Sequence, residues 1–172
     1  MVAGRAHRVS IEIRPVAAAE VGDAGDVTLA AYRTLSGRML DDRYTADLRD
    51  VAARTTGATV LVAVEDGRVL GTVTLVDDPS SPWSEGLAAG EAGIRMLGVD
   101  PEARGRGIGT TLLGACLGRA RAAGLSRAVL HSTASMAPAQ RIYLRAGFAR
   151  APGRDIVLSA DLRLLAYTLE LA

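Results

Sequence analysis

A glycine-rich segment between a predicted strand and a predicted helix carries the clearest sign of chemistry in this sequence. Residues 104–110 read Arg-Gly-Arg-Gly-Ile-Gly-Thr, with three glycines at alternate positions. Glycine has no Cβ, so the backbone here can turn tightly and approach a ligand closely. The helix that follows directs its free N–H groups and the positive end of its dipole at the same turn. The segment therefore indicates a phosphate site, to which Arg104 and Arg106 can add charged hydrogen bonds.

The spacing of the glycines argues against two common phosphate-binding loops. A dinucleotide fingerprint needs G-x-G-x-x-G, whereas the glycines here fall as G-x-G-x-G. A Walker loop needs Gly-Lys-Ser/Thr, and the sequence contains no lysine. An NAD-binding domain is thus disfavoured, while a glycine turn that merely starts a helix stays open on these residues alone.

Two motifs in the same order and separation resemble those of the GNAT acetyltransferase superfamily. Arg104-x-x-Gly107-x-Gly109 is similar to the Q/R-x-x-G-x-G/A signature, and residues 95–101 resemble the strand that leads into it. Residues 139–148, Ala-Gln-Arg-Ile-Tyr-Leu-Arg-Ala-Gly-Phe, resemble the A-x-x-L/I-Y-x-x-x-G-F helix of that family. Together the two motifs cover residues 94–148.

The resemblance implies an α/β fold of the α+β sandwich type in one domain over residues 1–172. A central, mixed and strongly twisted sheet of about seven strands would be flanked by about four helices. Its two parallel central strands, 94–99 and 128–131, would splay apart at the cofactor site. Residues 1–8 are expected to be flexible.

The resemblance also implies acetyl-CoA as co-substrate and no metal. The backbone of residues 97 and 99 would pair with the pantetheine arm, and the N–H groups of residues 105–110 would hold the pyrophosphate. The expected cofactor-binding residues are Leu97, Gly98, Val99, Arg104, Gly105, Arg106, Gly107, Ile108, Gly109 and Thr110. Many relatives carry an asparagine where this chain has Met136, whose thioether is a weak acceptor, so that contact stays open.

The implied reaction is attack of a primary amine on the thioester within a ternary complex. It needs a base for the amine and an acid for the departing thiolate. Tyr143 occupies the acid position of the family. His131, at the end of a central strand, and Glu91, acting through water, are the two candidate bases. A packed tyrosine and a structural histidine are the alternatives to these roles.

The family recognises its acceptor with the first two helices and the loop before the fourth strand. Those regions offer Tyr32, Trp83 and Tyr44, together with Asp41 and Asp42. Acidic and aromatic groups suit a cationic amine, either a small molecule or a peptide. A non-catalytic acyl-CoA-binding module and an enzyme that uses another acyl-CoA are the competing interpretations.

The local patterns supply the elements that must position these residues. Alternating apolar residues predict a strand over 9–15, and Asp66-Gly67 predicts a tight hairpin between strands 59–64 and 68–75. Further elements are predicted as helices at 17–32, 41–54, 107–123 and 137–146, a loop at 77–90, and strands at 148–150 and 164–171.

The composition of the chain argues against several classes of function. The net charge is +1 and aromatic residues make up 3% of the 172 residues, which argues against a nucleic-acid-binding surface. The single Cys116 allows no internal disulfide and no zinc cluster. No apolar run reaches the roughly 18 residues of a membrane span. These features predict a cytoplasmic protein without a membrane partner, as a monomer or a homodimer.

Overall fold

Eight strands and five α-helices build the fold in a computed structural model that describes residues 10–35 and 40–171. The strands are β1 (Glu12–Pro15), β2 (Thr59–Glu65), β3 (Arg68–Val76), β4 (Glu91–Val99), β5 (Arg127–Ser132), β6 (Ala149–Arg150), β7 (Ile156–Ser159) and β8 (Leu162–Glu170). The helices are α1 (Val21–Leu35), α2 (Asp42–Arg49), α3 (Val51–Arg54), α4 (Ile108–Ala122) and α5 (Ala137–Arg145). The predicted flexible segment 1–8 lies outside the described residues.

The strands form one mixed sheet in the order β1-β2-β3-β4-β5-β8-β6, with β7 paired to β8. Within this sheet β4 and β5 run parallel and their ladder extends from Glu91↔Arg127 to Ile94↔Leu130. Beyond Ile94, β4 continues to Val99 without a partner on β5. The expected mixed sheet with splayed central strands is confirmed.

The β2–β3 hairpin follows directly from its sequence. Asp66 and Gly67 have φ values of 48° and 76°, and a two-residue turn with both φ positive matches the right-handed twist of the flanking strands. The β-branched and aliphatic residues of the two strands are almost all buried. This hairpin forms the centre of the sheet next to β4.

A bulge distorts β4 close to the point where it leaves β5. The register between β3 and β4 shifts between Thr72 and Thr74, and Met96 has a φ of 49°. A positive φ is strained for a side chain such as methionine, and such strain concentrates at functional sites. A bulge also bends its strand, so it supports the divergence of β4 from β5.

The two faces of the sheet pack against different helices. Ile94 and Leu130 belong to the large core that includes Leu112 and Leu113 of α4. The opposite face buries Val60 and Val62 of β2 in a smaller core under α1 and α3. The two faces of the central strands therefore pack against different sets of helices.

Two local features differ from the predictions. The single helix expected over 41–54 is interrupted at Asp50, whose carboxylate accepts a hydrogen bond from the Ala53 N–H at 2.9 Å and so begins α3. The short strand β7 was not predicted, because three of its four residues are exposed and its pattern is brief. None of the helices in the described ranges is long and apolar enough to cross a membrane.

Close packing between α1 and α2 gives a first prediction. A Cβ at Gly25 would lie 2.2 Å from the carbonyl oxygen of Arg49, whereas a Cβ at Gly22 would meet nothing within 4 Å. Gly25→Ala should therefore lower the free energy of unfolding by about 1–3 kcal/mol, through overpacking. The matched control Gly22→Ala should be neutral or stabilising by up to about 1 kcal/mol. Urea titration of both variants tests this, and equal stabilities would contradict it.

Candidate active site

A cleft of about 410 Å³ lies beside the unpaired end of β4. It is bounded by the last residues of β4, the glycine-rich turn, the start of α4, and α5. Nine of the ten predicted cofactor-binding residues line it: Leu97, Gly98, Val99, Arg104, Gly105, Gly107, Ile108, Gly109 and Thr110. Residues of α5 that sequence reasoning did not single out complete the wall: Pro138, Ala139, Ile142 and Arg145.

The glycine-rich turn adopts backbone angles that favour glycine. Gly105 and Gly107 have φ values of 78° and 76°, in the left-handed region that other L-residues rarely adopt. Gly107 is also the N-cap of α4, and no side chain caps the first N–H groups of that helix. The positive end of α4 therefore faces the cleft with free donors, which suits a phosphate group.

The two arginines of the turn have different surroundings. Arg104 lines the cleft and donates through Nη2 to the Thr34 hydroxyl and to the Ala31 carbonyl of α1. Arg106 turns away and donates through Nη1 and Nη2 to the Glu65 carboxylate, at 2.9 and 2.6 Å. The side chain of Arg106 is therefore not brought together with the other predicted cofactor residues.

Tyr143 lies on α5 and is 6% exposed. Its ring packs near Phe148 and Tyr167, with centroid distances of 6.2 and 6.3 Å. Burial raises the pKa of its phenol well above the usual 10, and the neighbouring Tyr167 adds to the effect. The hydroxyl thus stays protonated at neutral pH, as a proton donor must.

His131 follows the last residue of β5 that pairs with β4. Its Nε2 lies 3.1 Å from the Arg154 carbonyl oxygen. A carbonyl oxygen accepts only, so Nε2 carries the hydrogen and Nδ1 keeps a lone pair. Within the described chain Nδ1 is buried and has no hydrogen-bond partner. Burial lowers the pKa of His131 below 6.5, so the imidazole is neutral at pH 7.

Glu91 is placed differently from His131. It begins β4, at the end where β4 and β5 are still hydrogen-bonded. Arg154 donates Nη1 and Nη2 to its two carboxylate oxygens at 2.6 and 2.7 Å, and Arg127 approaches to 3.3 Å. These contacts, with the hydrogen bond of Arg154 the largest, lower the pKa of Glu91 to about 2. Glu91 therefore fixes Arg154, whose backbone carbonyl contacts His131.

The two predicted acceptor residues, Tyr32 and Trp83, have different surroundings. Tyr32 contacts Tyr44 edge-on, with ring centroids 6.2 Å apart. Trp83 packs against the small cluster of Val76, Leu87 and Val129, and its indole Nε1 is buried. Tyr32 also packs against the large core that includes Leu97 and Tyr143, whereas Trp83 lies with Val129 on the face away from α4.

Three charged residues near this face were missed by sequence reasoning. Arg95 and Arg54 are 8% and 1% exposed, and Arg154 holds Glu91. A signal existed for Arg95, which interrupts an apolar strand, because a charge there needs a partner. Nothing in the local pattern distinguishes Arg54 from the exposed arginines of α2.

Comparison with known proteins agrees with this geometry. A sequence model of the Acetyltransferase (GNAT) family matches residues 28–148. The match covers both motifs, the parting strands and the lining of the cleft. The chain belongs to the GNAT acetyltransferase family.

Two curated relatives share part of the sequence. Mycothiol acetyltransferase of Cellulomonas flavigena is 40% identical over 91 residues, 52% of this chain and 26% of that protein. The protein of the same name from Clavibacter michiganensis is 35% identical over 116 residues, 65% of this chain and 33% of that protein. The chain thus spans about a quarter to a third of the length of the curated relatives that it matches.

Solved structures show the same fold. A GNAT-family acetyltransferase from Staphylococcus aureus Mu50 superposes with a TM-score of 0.76 at 18% identity, over 95% of this chain and 100% of that one. A GNAT-family acetyltransferase from Brucella melitensis, solved with acetyl-CoA, gives 0.67 at 25% identity, over 96% and 90% of the chains. An acetyltransferase from Salmonella typhimurium, also solved with acetyl-CoA, gives 0.65 at 24% identity, with 95% of both chains covered.

The Glu91–Arg154 contact predicts an acid-sensitive contribution to stability. Glu91→Gln should lower the free energy of unfolding at pH 6 by about 3 kcal/mol, because Arg154 loses its buried counter-charge. The folded-state pKa of Glu91 is depressed to about 2, so this contribution is present above about 4.5 and is lost as the pH falls toward 2. The stability difference between wild type and variant should therefore shrink from pH 6 to pH 3 in urea titrations. A constant difference would contradict it.

Proposed function

We propose that this chain transfers the acetyl group of acetyl-CoA to a primary amine by direct attack in a ternary complex. The observation that carries the proposal is the glycine-lined cleft beside the part of β4 that β5 leaves unpaired, with α5, the helix of the protonated Tyr143, in its wall. The neutral His131 follows the last paired residue of β5, on the opposite face of the sheet. Membership in the GNAT family and the names of the curated relatives support acetyl transfer as the reaction class.

The residues that line the cleft suit the chemistry of acetyl-CoA. Leu97 to Val99 present strand backbone that β5 does not pair with, which suits the amide groups of a pantetheine arm. The free N–H groups at the start of α4 suit the pyrophosphate, and Arg104 stands beside them. When bound there, acetyl-CoA supplies an activated acetyl group as a thioester.

His131 is the proposed base. An amine attacks only as the neutral form, so its proton must leave before or during attack. Nδ1 of His131 has the lone pair for this, because Nε2 is committed to the Arg154 carbonyl. A carboxylate with a pKa of about 2 is a much weaker base, so we assign Glu91 the positioning of Arg154 rather than proton removal.

Tyr143 is the proposed acid. A thiol has an ordinary pKa of about 8.5 and a tyrosine hydroxyl about 10, and burial raises the pKa of Tyr143 further. The phenol therefore donates a hydrogen bond to the departing thiolate and passes its proton only while the two are held close. Its ring packs near Phe148 and Tyr167, and this burial raises the pKa of the phenol. The raised pKa keeps the phenol in its neutral, protonated form.

Removal of the tyrosine hydroxyl gives one test. Tyr143→Phe should lower kcat by about 10²-fold or more, because general acid catalysis is lost. The Kd for acetyl-CoA should not change, since the hydroxyl is not needed for binding. Thiol release measures the first quantity and calorimetric titration the second. Tyr167→Phe, a buried neighbour on β8, is the matched control and should keep kcat; an unaltered kcat in Tyr143→Phe would remove Tyr143 from the mechanism.

The pH dependence tests the base. Wild type should lose kcat/KM as the pH falls through a value below 6.5, where His131 becomes protonated. His131→Ala should lack this limb and turn over about 10²-fold or more slowly. Glu91→Gln should keep the limb at a reduced rate, since it only loosens Arg154. A profile in which Glu91→Gln alone loses the limb would make Glu91 the base.

A further inference from the structure

Unpartnered polar atoms collect on one face of the sheet. Within the ranges that the structure describes, the buried side-chain nitrogen and oxygen atoms without a hydrogen-bond partner are Nε and Nη2 of Arg54, Oγ1 of Thr74, Nε1 of Trp83, Nε of Arg95 and Nδ1 of His131. A buried polar atom left unpaired is unfavourable, so such groups call for a ligand or another explanation.

The strand register shows that these atoms share a face. Thr74 of β3 pairs directly with both Val60 and Arg95, and directly paired residues point to the same side. Gly93 pairs with Val129, so Arg95 and His131, each two residues further on, also lie on that side.

Helix α3 and the loop after β3 supply the remaining two residues, Arg54 and Trp83, on the same side. Val51 of α3 packs on Val60 and so places Arg54 over this face. Trp83 packs on Val129 of β5. The cleft proposed for acetyl-CoA includes walls from α4 and α5, which cover the opposite face. The unpartnered atoms therefore lie on the other face of the sheet, which also carries the proposed base His131.

Arg54 is the most unusual member of this group. It is 1% exposed, and its Nη1 donates to the carbonyls of Asp47 and Leu48 at 2.8 and 3.1 Å. Its Nε and Nη2 have no partner in the described chain. These two N–H groups form one edge of the guanidinium, and that edge matches the two oxygens of a carboxylate.

The neighbouring charges do not neutralise Arg54. Arg95 Nε lies 2.9 Å from a Glu85 carboxylate oxygen, an ion-pair contact without hydrogen-bond geometry, so that arginine has its counter-charge. Asp50 uses its carboxylate to cap α3, and Asp47 offers Arg54 its backbone carbonyl. Burial lowers the pKa of Arg54 and outweighs the opposite electrostatic effects of Asp50 and Asp47. The face therefore carries a buried positive charge without a paired anion.

We infer that the acceptor amine also carries a carboxylate, and that Arg54 binds this carboxylate through Nε and Nη2. The inference rests on the proposed function and specifies its substrate class. Tyr32 packs against the core that contains Tyr143, and its ring contacts Tyr44 of α2, the helix whose carbonyls accept from Arg54. It therefore connects the region of Arg54 with that of Tyr143. The amine then reaches His131 while the carboxylate stays on Arg54.

This substrate class differs from the cationic amine that the sequence suggested. Asp41, one of the acids behind that expectation, accepts a hydrogen bond from the Tyr44 N–H at 2.7 Å and caps α2. Asp42 is exposed in the first turn of the same helix. Both acids have ordinary helix-terminus roles, whereas the buried charge is positive.

Matched acceptors test the inference directly. Phenylalanine and β-alanine are compared with phenylalaninamide and β-alaninamide, using acetyl-CoA and thiol release. At least one free acid should exceed its amide in kcat/KM by about tenfold or more, because the amide leaves the guanidinium uncompensated. Arg54→Met should abolish the preference mainly through KM, and Arg54→Lys should retain part of it. Arg119→Met, an exposed arginine of α4, should keep it.

A binding measurement separates this inference from the proposed function. Thermal unfolding of wild type is followed with each acid and each amide, and circular dichroism confirms that the variants fold. Stabilisation by an acid but not by its amide, lost in Arg54→Met, supports the carboxylate site even if no acceptor releases thiol. Turnover of amides at rates equal to the acids overturns the inference and leaves acetyl transfer standing. If Arg54→Met does not fold, the ratio of kcat/KM for acid and amide is compared between wild type and Arg54→Lys. A ratio that is unchanged in Arg54→Lys contradicts the inference.

Discussion

The separation of β4 from β5 after Ile94 and Leu130 is the constraint on which the rest of this structure depends. Two parallel strands that stop pairing inside a sheet leave backbone groups that need other partners. One side of the gap receives the start of α4 and the glycine-rich turn, and the other side receives Arg95 and His131. The cofactor and acceptor approaches proposed above are both consequences of this single break in the ladder.

The chain maintains the break with contacts that lie outside it. The bulge at Met96 bends β4, and the Glu91–Arg154 pair fixes the turn whose carbonyl binds His131. Glu91 and His131 are therefore connected through Arg154 although they lie at different ends of the paired region. The two candidate bases of the sequence therefore have different roles: Glu91 orients Arg154, and the Arg154 carbonyl orients His131, the proposed base.

The sequence predicted the fold and the backbone of the glycine-rich turn, because both depend on local patterns. Asp66-Gly67 specifies its hairpin, and glycine at residues 105 and 107 specifies left-handed backbone. The acceptor side was not predictable in the same way. In the sequence Arg54 does not differ from other helical arginines, because its burial depends on how α2 and α3 pack. The break at Asp50 that turns it inward depends on a local cap within an otherwise helical pattern.

The pair between Arg106 and Glu65 has a further consequence for the glycine-rich turn. It anchors the turn to the end of β2, so part of the conformational entropy of this flexible segment is already lost before any ligand arrives. A preorganised loop binds more tightly than a free one because less ordering remains to be done. Since both side chains are partly exposed, salt screens their attraction, and ionic strength then acts on the rigidity of the loop as well as on the charge of its ligand.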